Sequence, residues 1–171
     1  YFGALGSDRY VEYAQDIKSS GQHLLNLIND ILDLSVIESG KRHLEKEQLP
    51  LHEIIAECAP MVTEFTKQKE IVFTENISEK LPNIYADRRA LKQILLNILI
   101  NAAKFTPKNG EISLTATARN TDLAIEIRDT GIGISEHDIG NLGNPFVRGE
   151  SNPHKSQDGA GLGLAIVKSL V

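Results

Sequence analysis

Two asparagines and a lysine at helical spacing are the first residues in this 171-residue chain whose arrangement suggests chemistry. In "DRRALKQILLNILINAAKF", Asn97 and Asn101 are four apart and Lys104 follows three later. A helix puts all three on one face. Leu91, Ile94, Leu95, Ile98, Leu99 and Ala102 occupy much of the remainder, so a largely buried helix is expected. Neutral amides beside an apolar surface have two readings. They are core polar groups satisfied by backbone, or they offer oxygens to a hard cation. Mg²⁺ takes one or two protein oxygens and fills its octahedron with phosphates and waters. Lys104 on the same face would then meet a phosphate as a point charge.

A second feature is "DTGIGI", Asp129 to Ile134, which follows the strand-like "LAIEI". Leu123, Ile125 and Ile127 are all odd, and side chains alternate along a strand. Asp129 continues that parity, so its carboxylate is expected toward the apolar side, where it needs a donor. The donor is either the backbone of its own turn, which Asp caps well, or an exocyclic amine such as that of adenine. Gly131 and Gly133 would let backbone approach a flat ring with no Cβ in the way.

A third feature is "DGAGLGLAIVK", a glycine-rich turn entering a helix. Free backbone N–H groups and the helix dipole suit an anion there. The G-x-G-x-G spacing, late in the chain, is not the dinucleotide fingerprint, and the G-K-[ST] of a P-loop is absent. Alone, this loop is equally a plain turn. Together the three features describe a nucleotide pocket with places for base, metal and phosphates.

These residues need elements to position them. Asp87 predicts an N-cap for the asparagine helix, which should run to Phe105 and stop at Pro107. "EISLTATA" and "LAIEIRD", joined by "RNTD", predict an antiparallel pair. Upstream, Pro50 to Lys69 reads as a helix, Ile71 to Ile77 as a strand, and "HLEKEQLPL" and "NIYAD" as short extended pieces. "SEHD" from Ser135 fits a capping box and short helix. Residues 149–158 are polar and turn-rich, which predicts a mobile loop before a final helix. The expected class is α+β, a two-layer α/β sandwich with a mixed sheet. A long helix precedes it. Tyr10, Ala14, Ile17, Gly21, Leu24, Ile28, Ile31 and Ser35 form a heptad seam, widened by Leu25, Leu27, Leu32 and Leu34. So apolar a helix is either an ordinary packed helix of the one domain or, the preferred reading, part of a bundle with helices from a second copy or from residues upstream. Gly40 suits its C-cap, and a domain boundary is expected near Ser39 to Lys41.

"NILINAAKFT", "DTGIGI", "NPFVRG" and "GAGLGLAIVK" resemble the N, G1, F and G2 boxes of sensor histidine kinases, in family order. The resemblance implies the Bergerat (GHKL) ATP-binding fold over residues 41–171, shared with Hsp90, gyrase B and MutL. Residues 1–40, with "SSGQHLLNLINDILDLSVIESGK", resemble the second helix of the kinases' dimerisation and phosphotransfer hairpin. "FGALGSDRYVEYAQDI" and "DRRALKQI" further resemble the PleC/DivJ group of cell-cycle kinases.

Roles follow from this resemblance. Asn101 would bind Mg²⁺, with Asn97 supporting it, and Lys104 would face the phosphates. Asp129 would take the adenine amine, with Gly131 and Gly133 lining the base. Phe146 and Arg148 belong to the F box, where an arginine meets the γ-phosphate. Gly159, Gly161, Leu162 and Gly163 would form the lid hinge and phosphate cradle, and residues 149–158 the ATP lid. In the gyrase and Hsp90 relatives a glutamate four residues before the metal asparagine activates water; here that position is Asn97. Without a carboxylate base, transfer to a protein side chain is the better reading.

The resemblance implies ATP and Mg²⁺ as ligands, a response-regulator receiver domain as partner, and a homodimer in the whole protein. No "HE-x-R-T-P-L" acceptor segment occurs, and none of His23, His43, His52, His137 and His154 has that context. His23 reads as a bundle residue, His43 as part of a short strand, His52 and His137 as helix starts, and His154 as lid. The chain is therefore expected to begin after the reactive helix, to stop before the last strands of the ATP-binding domain, and not to phosphorylate itself. Competing readings are a non-catalytic scaffold of the same fold, a Bergerat ATPase, which Asn97 disfavours, and an anti-sigma serine kinase, which needs no helical arm.

Composition agrees with an ordinary globular protein, 41% hydrophobic and 24% charged. The formal net charge of −5 does not favour nonspecific nucleic-acid binding. A single cysteine, Cys58, precludes an intrachain disulfide. No apolar run spans a membrane. A cytoplasmic location is expected, with the parent protein either soluble or anchored in the bacterial inner membrane.

Overall fold

The computed structural model describes residues 8–38, 43–78, 80–119, 122–147 and 161–171. The expected C-cap at Gly40, the boundary near 39–41, His154 and the 149–158 loop lie outside these residues, as does the His23 side chain. The order is α1 (Asp8–Glu38), β1 (Lys46–Leu49), α2 (Leu51–Gln68), β2 (Val72–Ile77), β3 (Ile84–Asp87) and α3 (Arg88–Phe105). Then come β4 (Glu111–Arg119), β5 (Asp122–Asp129), α4 (Glu136–Ile139) and α5 (Gly163–Leu170).

Alternation decides how the main sheet packs. The order is β2-β4-β5, with β2 and β4 parallel and β4 and β5 antiparallel, so the sheet is mixed. Register puts Phe73 opposite Ile112, and Leu114 opposite Ile127. Ile112, Leu114 and Ala116 are buried, and Phe73, Ile77, Leu123, Ile125 and Ile127 pack around them. This face meets two helices. From α2 come Leu51, Ile54, Ile55, Cys58 and Val62; from α3 come Leu91, Leu95, Leu99, Ala102 and Ala103. The result is the expected two-layer sandwich. The short strands β1 and β3 form a separate antiparallel pair rather than joining the main sheet. His43 precedes β1 instead of lying on a strand.

The caps behave as the side chains dictate. Asp87 Oδ1 accepts from Ala90 N at 2.9 Å, and its Oδ2 accepts from Glu45 N at 2.9 Å, so one carboxylate starts α3 and ties down the approach to β1. Ser135 Oγ accepts from Asp138 N at 3.1 Å, the expected cap of α4. Helix α1 touches the domain at α5. Its apolar surface is otherwise open: Tyr10, Ile17, Leu24, Leu25, Ile28, Ile31 and Leu32 are exposed, Ile17 by 73%.

Candidate functional site

Helix α3 is the axis of the site. It packs against α5 on one side and approaches β5 on another. Asn97 and Asn101 face the start of α5. Asn97 Nδ2 donates to the Gly163 carbonyl at 3.3 Å. A Cβ on Gly163 would stand 3.7 Å from the Asn97 amide and 3.8 Å from Asn101 Nδ2, in ordinary contact, so glycine leaves this space open. Both amides are half-buried. Part of the first expectation therefore holds in its plainer form: one amide is satisfied by backbone. Lys104 is half-buried on the same helix, with Nζ 5.0 Å from the Phe105 ring centroid.

The C-terminal end of α3 carries the second half of the site. Gly131 packs directly on it: a Cβ there would meet Asp129 Oδ1 at 2.5 Å and the Phe105 carbonyl oxygen at 2.9 Å. The neighbouring Ile132 N–H points at that same carbonyl, 3.4 Å away. Asp129 keeps its predicted parity, opposite Ile112, but it is exposed rather than buried. It is the last residue of β5, and its carboxylate turns along the chain toward the following turn. The donor to its Oδ1 is the backbone N–H of Gly131 at 2.8 Å, the turn-capping alternative. No second hydrogen bond reaches this carboxylate among the described residues, so Oδ2 is available to an exocyclic amine. Gly133 has φ +71°, and a Cβ there would meet nothing within 4 Å.

One residue the sequence reading missed is Thr130. Its Oγ1 accepts from Glu111 N at 2.9 Å and fastens the turn to the first residue of β4. Register across the β4–β5 ladder makes this pairing, and spacing alone does not signal it.

The F and G2 segments meet each other. Gly161 has φ +72°, and a Cβ there would come within 2.8 Å of the Val147 carbonyl oxygen. Phe146 has φ +64°, unusual for a side chain of that bulk, and is 63% exposed. Leu162 is buried and anchors the entry to α5 beside Ile166. Arg148 and Gly159 lie outside the described residues. Thus Asn97, Asn101 and Gly163 converge, Asp129 and Gly131 join the far end of the same helix, and Phe146 and Gly161 form one junction.

Among the described residues no cluster of three or more His, Cys, Asp or Glu could hold a metal. Asn101 is half-buried beside the start of α5, with its Nδ2 3.8 Å from where a Cβ on Gly163 would stand; with the amide turned over, its oxygen would suit an ion that draws most ligands from phosphate and water. The pKa shifts lie elsewhere. Arg88 and Lys92 hold Glu57 below the usual carboxylate range, and burial pushes the Cys58 thiol up.

Residues 86–171 match the model of the histidine kinase-, DNA gyrase B-, and HSP90-like ATPases. The chain belongs to this family. It is 44% identical over 174 residues to the "Non-motile and phage-resistance protein" of Caulobacter vibrioides, covering 99% of this chain and 20% of that protein. It is 35% identical over 179 residues to the "Cell-division control histidine kinase PdhS" of Brucella anthropi, covering 99% of this chain and 17% of that protein. The crystal structure of full-length ShkA in complex with AMPPNP superposes with a TM-score of 0.81 at 32% identity, over 98% of this chain and 34% of that one. The chain spans about a fifth of the length of the relatives it matches. Within the family it is of the sensor histidine kinase kind, and the GHKL fold expected from its boxes is the fold observed.

Proposed function

We propose that this histidine kinase domain binds Mg-ATP and passes the γ-phosphate to a histidine of the whole protein. From there the phosphate moves to an aspartate on a response-regulator receiver domain. The observation that carries the reading is the convergence on α3. Asn97 and Asn101 meet the glycine-rich start of α5, and Asp129 and Gly131 close on the other end of the helix. Phosphates would lie at the first place and adenine at the second. The AMPPNP complex of ShkA supports a nucleotide here.

In this reading Asp129 Oδ2 receives the adenine amine, and Gly133 leaves room for the ring. Asn101 would hold Mg²⁺, whose charge neutralises the β- and γ-phosphates. Lys104 adds a positive charge on the same side. Asn97 spends its amide on the Gly163 carbonyl and cannot act as a base for water, which favours transfer over hydrolysis. The transfer breaks the bond between the γ-phosphorus and the β–γ bridging oxygen. It forms a phosphorus–nitrogen bond to a neutral imidazole, releasing ADP and the ring proton. Arg148 would meet the γ-phosphate, and Gly159, Gly161, Leu162 and Gly163 would form the hinge and cradle of a lid over residues 149–158.

Helix α1 would be the second helix of a dimerisation hairpin within a 1–40 unit, ahead of the ATP-binding unit at 41–171. Its exposed Ile17, Leu24, Ile28 and Ile31 support a homodimer in the whole protein. A PleC/DivJ-like cell-cycle role draws support from the Brucella relative's name. A cytoplasmic location goes with this chemistry; among the described residues no helix is long and apolar enough to cross a membrane. Calorimetric titration with AMPPNP, with and without Mg²⁺, tests the core of the proposal. Binding that strengthens with Mg²⁺ in the parent, and loses that dependence in Asn101→Ala, is the expected result. Absence of binding, or an unchanged Mg²⁺ dependence in the variant, refutes it.

A further inference from the structure

Helix α3 ends with carbonyls that no helical N–H can reach, carrying the negative end of the helix dipole. The turn after α2 supplies a cation to them. Lys69 Nζ donates to the carbonyls of Ala103 at 2.8 Å, Lys104 at 2.5 Å and Thr106 at 3.3 Å. These lie on either side of Phe105. The Phe105 carbonyl is the one turned toward the Ile132 N–H and packed against Gly131.

The backbone reinforces this grip. Asn109 N donates to the Lys69 carbonyl at 3.1 Å, and Val72 N to the Gly110 carbonyl at 2.9 Å. Lys108 Nζ pairs with Glu70 Oε1 at 3.0 Å. Glu70 and Asn109 both hold positive φ, 53° and 62°, so each turn is bent to fit the other. Two turns distant in sequence thus form one clasp around the end of α3, with Lys69 at its centre.

We propose that Lys69 is a positioning residue for the base end of the nucleotide site. By gathering the carbonyls around Phe105 it fixes where the Phe105 oxygen points. That oxygen sets the Gly131–Ile132 turn, and Gly131 N–H in turn orients the Asp129 carboxylate. Lys69 touches no nucleotide; it acts through backbone. The inference rests on the ATP reading of the site.

The test compares Lys69→Met, which keeps the stem and loses the donors, with Lys69→Arg, which restores a charged donor. Val62→Ala, a core truncation in α2 away from the clasp, serves as the control for lost stability. Three quantities are measured on the whole chain: AMPPNP affinity by calorimetry, melting temperature, and the amide resonances of Gly131 and Ile132 without nucleotide. Lys69→Met is expected to weaken binding about tenfold and to shift both resonances, because small displacements of binding groups are costly. Lys69→Arg is expected to recover most of that loss. Val62→Ala is expected to lower the melting temperature while leaving affinity and both resonances in place. If Lys69→Met does not fold, Lys69→Gln, which keeps a neutral donor, carries the same comparison. Parent-like affinity in the Lys69 variant, an equal loss in Val62→Ala, or unmoved resonances overturns the proposal. A parent chain that binds no nucleotide overturns the ATP reading, and this proposal with it.

Discussion

Replacing Asp129 with asparagine tests the base site with almost no change of shape. In the structure Oδ1 already accepts the Gly131 N–H at 2.8 Å. An asparagine can keep that bond only by placing its own oxygen there. Its NH₂ group then takes the position of Oδ2 and faces the adenine amine, donor against donor. The substitution therefore removes one hydrogen bond to a charged acceptor, an interaction of about 1.5–3 kcal/mol. At 1.4 kcal/mol per decade, affinity should fall about tenfold to hundredfold. Fold stability should barely move, because Asp129 is exposed and its turn keeps an acceptor; a shift within about 2 °C is expected. The assay is calorimetry with ATP and with a purine-riboside triphosphate that lacks the exocyclic amine, each on parent and variant. The parent should prefer ATP, and Asp129→Asn should lose that preference. Equal losses for both ligands, or no loss for ATP, would refute adenine recognition by this carboxylate.

Three further outcomes follow from geometry. Gly131→Ala drives a methyl against the Phe105 carbonyl and the Asp129 carboxylate, so a stability loss of about 1–3 kcal/mol is expected in thermal melts. Thr130→Val removes the acceptor for the Glu111 N–H while keeping shape, and denaturant titration should show a loss of about 1 kcal/mol. Glu57 accepts from Arg88 and Lys92, with the Arg88 bond first in lowering its pKa. A depressed carboxylate stabilises the fold above its unfolded pKa and loses that contribution as pH falls through the folded one. The stability difference between parent and Glu57→Gln should therefore be present at neutral pH, vanish in acid, and shrink in high salt.

Local patterns in the sequence determined much of this protein. The spacing of Asn97, Asn101 and Lys104, the cap at Asp87, the alternation of β4 and β5 and the glycine-rich boxes each follow from short-range rules of period, cap and turn. Those rules operate within a few residues, so they were legible without coordinates. The apolar seam of α1 was legible too, and the structure leaves it exposed. Tertiary structure decided what the boxes touch. Parity put Asp129 on the apolar face, but only the folded chain shows that the residue is exposed, with its carboxylate taken up by the Gly131 N–H of its own turn. The Asn97 bond to Gly163 joins residues 66 positions apart. The Lys69 clasp spans 34 to 37 positions. Such contacts depend on how α2, α3 and the sheet stack, and no local rule reaches that far. The chemistry is written in the boxes, and the packing around α3 gives it a geometry.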